Sequence, residues 1–131
     1  MVVRVKLDLK GFDAYLEKIM QAGRNIDAIT GRAVGAGGEV LLDGMKRRVP
    51  KDTRNLESHL KVDGPHQNGN LHYVEVGLVR GVDPDTARYG NAQEYGTSSM
   101  AAQPYVRPAL DSDMGKARRA MREIFEAEEV L

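Results

Sequence analysis

A run of helical periodicity from about Ile26 to Val49, closed by Pro50, carries glycine at positions 31, 35, 37, 38 and 44. Interior glycine costs a helix up to about 1 kcal/mol relative to alanine at each position, so five of them need a packing reason. The apolar positions include Ile29, Ala33, Val40, Leu41 and Met45. Gly31, Gly35 and Gly38 are spaced four and three apart and share one helix face, where a bare surface admits another backbone at close range. The competing reading is a helix that breaks near Gly35–Gly38.

Other segments declare themselves by period. Residues 3–9 alternate, with Val3, Val5, Leu7 and Leu9 apolar and Arg4, Lys6 and Asp8 polar, which predicts a half-buried strand ended by Lys10-Gly11. Phe12, Tyr15, Leu16, Ile19 and Met20 predict one apolar stripe of a first helix, with Gly23-Arg24-Asn25 at its end. After a turn at Pro50–Thr53, Leu56, Ser58, Leu60 and Val62 alternate with Glu57, His59, Lys61 and Asp63 and predict a second strand. Gly64–Asn70 reads as a hairpin loop with an Asn68-Gly69 turn, and Val74, Val76 and Leu78 as one face of a third strand. Gly81–Arg88 reads as an exposed loop around Asp83-Pro84, and Tyr89–Glu94 as one helical turn. An extended Pro104–Val106 leads to a last helix opened by Pro108. That helix has Leu110, Met114, Ala117, Met121, Ile124 and Phe125 on one face and an acidic, fraying end. The order predicts an α+β domain spanning residues 1–131, a small antiparallel sheet packed against two or three helices.

Charge and composition narrow the function classes. Nineteen basic residues balance nineteen acidic ones, which argues against strong sequence-independent binding to nucleic acid. Without Cys there are no disulfides or thiolate ligands, as suits a reducing cytoplasm. The start MVVRVKLDLK lacks a signal peptide's apolar core, and no stretch approaches the roughly 18 apolar residues of a membrane span. The expectation is a protein used without export.

A search for reactive groups finds little. His59, His66 and His72 lack the i, i+4 spacing of a helical zinc site and read as solvated surface residues, His66 in the hairpin loop. No serine lies in a GxSxG elbow. GAGGEV at 35–40 lacks the Lys-Ser/Thr of a phosphate loop and follows a helix rather than a strand. Lys46-Arg47-Arg48, Lys116-Arg118-Arg119 and the acids Glu123, Glu126, Glu128 and Glu129 read as solvated helix faces. No catalytic residue, metal ligand or cofactor is expected.

One stretch is specific. Tyr89, then Glu94-Tyr95-Gly96-Thr97, then Gln103-Pro104-Tyr105-Val106-Arg107-Pro108-Ala109-Leu110 resembles the signature of the head–tail joining or tail-completion (neck, minor tail) proteins of tailed bacteriophages and prophages. That family is typified by the tenth gene product of a lambda-like siphophage. Upstream, Pro50-x-Asp52-Thr53-Arg54-Asn55-Leu56 is similar to the family's Pro-x-x-Thr-Gly-x-Leu element. Arg54 stands where glycine is usual, and Gly90 where alanine follows the tyrosine.

The resemblance implies a non-enzymatic virion-assembly protein at the head–tail interface, present in the host cytoplasm during assembly. Its partners would be other neck and tail proteins and further copies in a ring, hexameric if it matches a sixfold tail. It implies neither a membrane nor a specific nucleic acid as partner. Tyr89, Glu94, Tyr95, Gly96, Thr97, Met100, Gln103, Pro104, Tyr105, Arg107 and Pro108 are the candidate subunit-contact residues. Charge and motif position also suggest a Glu94–Arg107 ion pair. A tail-terminator or other minor tail subunit is the alternative within the class; a DNA-binding module or a maturation hydrolase lies outside it.

Overall fold

The computed structural model describes residues 4–50, 55–69, 71–78 and 81–130. The Pro50–Leu56 element lies mostly outside them. Eight elements follow in order: β1 (Arg4–Asp8), α1 (Asp13–Gln21), α2 (Ile26–Arg48), α3 (Asn55–His59), β2 (Leu60–Asn68), β3 (Leu71–Leu78), α4 (Pro84–Tyr95) and α5 (Val106–Val130). The strands form one antiparallel sheet in the order β1-β3-β2, so the fold is α+β as the periodicities predict.

Alternation puts Leu7, Val74, Val76 and Leu78 on the inner face of the sheet, where all are buried. α2 lies across that face through Ile29, Ala33, Val34, Leu41 and Met45. α5 packs antiparallel along α2: Gly44 meets Asp113, Gly37 meets Met121, and Arg24 pairs with Glu128. Ala109, Ala117, Met121 and Phe125 of α5 are buried. Phe125, Phe12 and Tyr15 cluster, with ring centroids 5.4–6.1 Å apart, and tie α1 to α5.

The glycine-rich helix is continuous. Asn25 caps it, its side-chain oxygen accepting the Ala28 N–H at 3.2 Å. The glycines admit side chains, not a backbone. A methyl group at Gly37 would lie 2.7 Å from Met121 Sδ and 2.9 Å from Leu7 Cδ2, and one at Gly38 3.0 Å from both Val62 Cγ1 and Val74 Cγ2. Gly35 has nothing within 4 Å. Gly31 and Gly38 therefore face the sheet side, while Gly37 and Gly44 face α5.

Several expectations change. Met20 is 64% exposed, because it falls one position past Ile19 and turns beyond the edge of the buried stripe. Residues 56–59, expected as strand, form α3, whose Leu56 is buried. Gly64–Asn68, expected as loop, belongs to β2, whose pairing with β3 resumes after a bulge at His66↔Tyr73 and runs to Asn68↔Leu71; Gly69, at φ +62°, follows in the turn. The Gly81–Arg88 loop is shorter than expected, because α4 begins at Pro84.

Candidate functional site

The candidate contact residues converge on the junction where α4 turns into α5. Asp83 starts α4: its carboxylate accepts the Thr86 N–H at 3.0 Å and the Thr86 hydroxyl at 2.8 Å, and Pro84 occupies the first helical position. These two bonds, the backbone one foremost, hold the Asp83 carboxyl below its ordinary pKa of 3.8. An Asp-Pro pair read in sequence as the centre of an exposed loop is here a cap followed by a helix start.

α4 is inverted relative to an ordinary amphipathic helix. Its buried positions are Thr86, Gly90, Gln93 and Glu94, while Tyr89 and Tyr95 point outward at 40% and 56% exposure. The inner face is polar because it serves hydrogen bonds rather than a core. Glu94 is 7% exposed. Its Oε1 accepts the N–H groups of Tyr105 and Val106, both at 2.8 Å, and its Oε2 accepts that of Arg107 at 3.0 Å. A helix leaves its first N–H groups without internal partners. The next residue, Pro108, has no N–H, so one carboxylate from α4 satisfies the donors that open α5.

In place of the expected Glu94–Arg107 ion pair, Glu94 meets the Arg107 backbone N–H. Among the described residues the guanidinium forms no ion pair with Glu94, and the Arg107 side chain is exposed. Tyr105 is fully buried beside this cap and donates its hydroxyl to the Gly90 carbonyl at 3.2 Å. Burial first, then the neighbouring Glu94 and Tyr95, push the Tyr105 hydroxyl well above the ordinary phenol pKa. A methyl group at Gly90 would overlap Leu78 Cδ1 and lie 3.0 Å from the Tyr105 hydroxyl. This accounts for glycine at position 90, where the resemblance leads one to expect alanine.

Gly96, at φ +77°, ends α4, and its N–H donates to the Ala92 carbonyl at 2.8 Å. A side chain there would press on Ala102 N and Met100 O, both 3.0 Å from the added carbon. The following loop closes on itself, Thr97 N–H to Met100 O at 2.9 Å, and Gln103 N–H anchors it to the Gln93 carbonyl at 2.7 Å. Thr97, Met100, Gln103 and Pro104 are exposed. Arg88, Asn91, Ala92, Tyr95, Gly96 and Thr97 line an open depression of about 320 Å³ on this surface.

The candidate residues thus separate into two sets. Glu94 and Tyr105 build the junction from within. Tyr89, Tyr95, Thr97, Met100, Gln103, Pro104 and Arg107 face outward, with Gly96 and Pro108 half-buried between them. Pro108 is the third residue of α5 rather than its first.

Some charged groups read in sequence as solvated faces also hold the fold together, while Lys116, Arg119, Glu123 and Glu126 are exposed as expected. Asp113, buried on α5, accepts from Arg48 at 2.8 Å and Arg47 at 3.1 Å. Glu126 accepts the Tyr15 hydroxyl at 3.1 Å, and Glu128 binds Arg24 and Arg32. Arg118 donates to the Lys10 carbonyl at 3.0 Å and covers the Phe12 ring. The histidines are half-buried, and His66 lies on β2, not in a loop. His72 stands 3.3 Å from the Thr30 hydroxyl and 3.6 Å from Asp27. Among the described residues, the one group of imidazole and carboxylate donors with ligand-like proximity is Asp63, His66 and Glu75.

Exposed tyrosines and a methionine thus lie on a junction braced from within by the Glu94 carboxylate. Residues 10–96 match the model of the family described as "Bacteriophage HK97-gp10, putative tail-component", and the chain belongs to this family of phage tail components. The match ends at Gly96, so the Gln103–Leu110 run lies beyond it. No curated protein and no solved structure matches the chain.

Proposed function

We propose that this chain is a structural virion-assembly protein that acts by subunit–subunit binding at the head–tail interface, without catalysis. It would join other neck and tail proteins and close a ring with further copies of itself. The observation that carries this reading is the inverted α4. Tyr89 and Tyr95 sit on the solvent side of a helix whose inner face is spent on capping α5. Exposed tyrosines supply large, stiff, amphipathic contact area of the kind that anchors protein interfaces. The Glu94 cap keeps that surface fixed, which lowers the ordering cost of docking. Membership of a tail-component family supports a place in the virion. Among the described residues no helix is long and apolar enough to cross a membrane. The commitment of Arg47, Arg48 and Arg118 to partners inside the fold weighs against a DNA-binding surface built from them.

Light scattering across protein concentration tests the reading. The wild-type chain is expected to reach ring-sized masses. A Tyr89→Ser, Tyr95→Ser double variant with unchanged circular dichroism is expected to stay monomeric. A double variant that assembles like wild type would refute the α4 surface as the contact.

A further inference from the structure

The sheet's outer face carries a second arrangement, independent of the assembly reading. In a regular strand, residues three apart point to opposite faces. In β2 they do not. Asp63 pairs with Glu75, yet His66 pairs with Tyr73, so three steps along β2 oppose two along β3. This β-bulge reverses the parity of the strand and brings His66 to the face that Asp63 and Glu75 already occupy. That face is the outer one, because Val62 and Val76, the neighbouring pair, turn inward.

We propose that Asp63, His66 and Glu75 form a binding site for a divalent transition cation of the zinc class, clamping the bulged β2 to β3. His66 Nε2 lies 3.1 Å from Asp63 Oδ2. Donors about 2.1 Å from one ion at that separation subtend close to a right angle, which such ions accept. The three donor atoms lie within 4.8 Å of one another, so the Glu75 carboxylate needs only a small side-chain rotation to close the set. The imidazole is pre-set against Tyr73, ring centroids 5.3 Å apart. One imidazole with two carboxylates suits Zn²⁺, Co²⁺ or Ni²⁺ and gives Mg²⁺ and Ca²⁺ little advantage.

The competitor is already in place. Arg4 is ion-paired with Glu75, and Lys6 lies over the Tyr73 ring at 4.3 Å. A dication must displace the Arg4 guanidinium and tolerate Lys6 nearby, which makes the site a weak one, with Kd on the order of 100 μM. The alternative is two separate surface ion pairs, Asp63–His66 and Arg4–Glu75, each of little energetic consequence and indifferent to zinc.

Thermal melts of the untagged chain separate the two, and the absence of Cys removes competing thiolate sites. About 1 mM Zn²⁺ is expected to raise Tm by roughly 3–6 °C, as binding to the folded state alone requires. EDTA should reverse the shift, and equal Mg²⁺ should not produce it. His66→Gln and Asp63→Asn should each abolish it. Arg4→Gln, which removes the Arg4 ion pair of Glu75, should tighten binding at least about threefold by calorimetry, since it removes a competing cation. No shift in the wild-type chain overturns the proposal, even if Arg4→Gln binds. So does a shift that survives His66→Gln.

Discussion

Removing the Glu94 carboxylate should cost more than any other single substitution at the α4–α5 junction. Glu94→Ala strips acceptors from three backbone N–H groups, at 2.8, 2.8 and 3.0 Å, two of them on the buried residues Tyr105 and Val106. A hydrogen bond to a charged group contributes about 1.5–3 kcal/mol. Loss of an ordinary helix cap costs about 0.5–2 kcal/mol. Three bonds do not sum independently, because water can reach the Arg107 side of the junction, and the worst single substitutions fall near 4–5 kcal/mol. The expected loss is therefore about 3–5 kcal/mol. With an unfolding entropy near 2.1 cal/mol/K per residue, that corresponds to a fall in Tm of roughly 10–18 °C. Glu94→Gln keeps one carbonyl acceptor but turns an NH₂ toward a donor, so about half the loss is expected. Urea unfolding followed by circular dichroism measures both variants, and Arg107→Ala is the control. If the cap is to the backbone, Arg107→Ala shifts stability by less than about 0.5 kcal/mol, as for an exposed residue. A Glu94→Gln variant as stable as wild type, or an Arg107→Ala loss as large as that of Glu94→Ala, would refute the backbone cap.

Three further expectations concern α2 and its interface with α5. Burial raises the Asp113 carboxyl's pKa, but the Arg48 hydrogen bond and the charges of Arg48, Arg47 and Lys116 outweigh it and leave it below 3.8. Asp113 therefore takes up its proton at lower pH folded than unfolded. Its stabilisation is complete well above pH 3.8 and is lost as pH falls through the folded value. Asp113→Asn, which keeps one carbonyl acceptor for the arginines, should cost about 1–3 kcal/mol at pH 7 and flatten the acid limb of a stability–pH curve; an unchanged acid limb would count against the Arg47–Asp113–Arg48 cluster. Gly44→Ala should destabilise despite alanine's helix propensity, because the methyl group overlaps Asp113 Oδ2 and lies 3.2 Å from Arg48 Nη1. Gly35→Ala, with open space around it, should stabilise by about 0.5–1 kcal/mol. Thermal melts giving both variants the same sign would contradict the packing described for α2.

Much of the architecture is written in local periods. Alternation placed β1 and β3, and helical spacing placed α1, α2 and the buried stripe of α5. Pro50 marked the end of α2, and Asn68-Gly69 located the hairpin turn to within a residue, Asn68 itself pairing with Leu71. Where a short segment has no decisive period, sequence reading fails for identifiable reasons. The alternation from Leu56 to Val62 is too brief to separate one helical turn from a strand: its first four residues are helical in α3, and Leu60–Val62 open β2 as expected. Gly64–Asn68 looks like loop because its residues are turn-forming or polar and mostly exposed, and because its backbone is bulged. Only the Tyr89–Glu94 turn of α4 was legible, because the helix's inner face is polar.

The candidate site shows the same division. The segment Tyr89–Pro108 announced its family and Glu94 announced a role near Arg107, since motif residues and charge are visible in one dimension. Which atoms of Arg107 would meet Glu94 was not visible. Neither was the burial of Asp113 between two arginines, nor the bulge that turns His66 toward Asp63 and Glu75. Periodicity tells a residue which face it occupies, because neighbours three or four positions away set that face. A partner dozens of positions away is chosen by the path of the chain, and a carboxylate's value depends on which donors that path delivers to it.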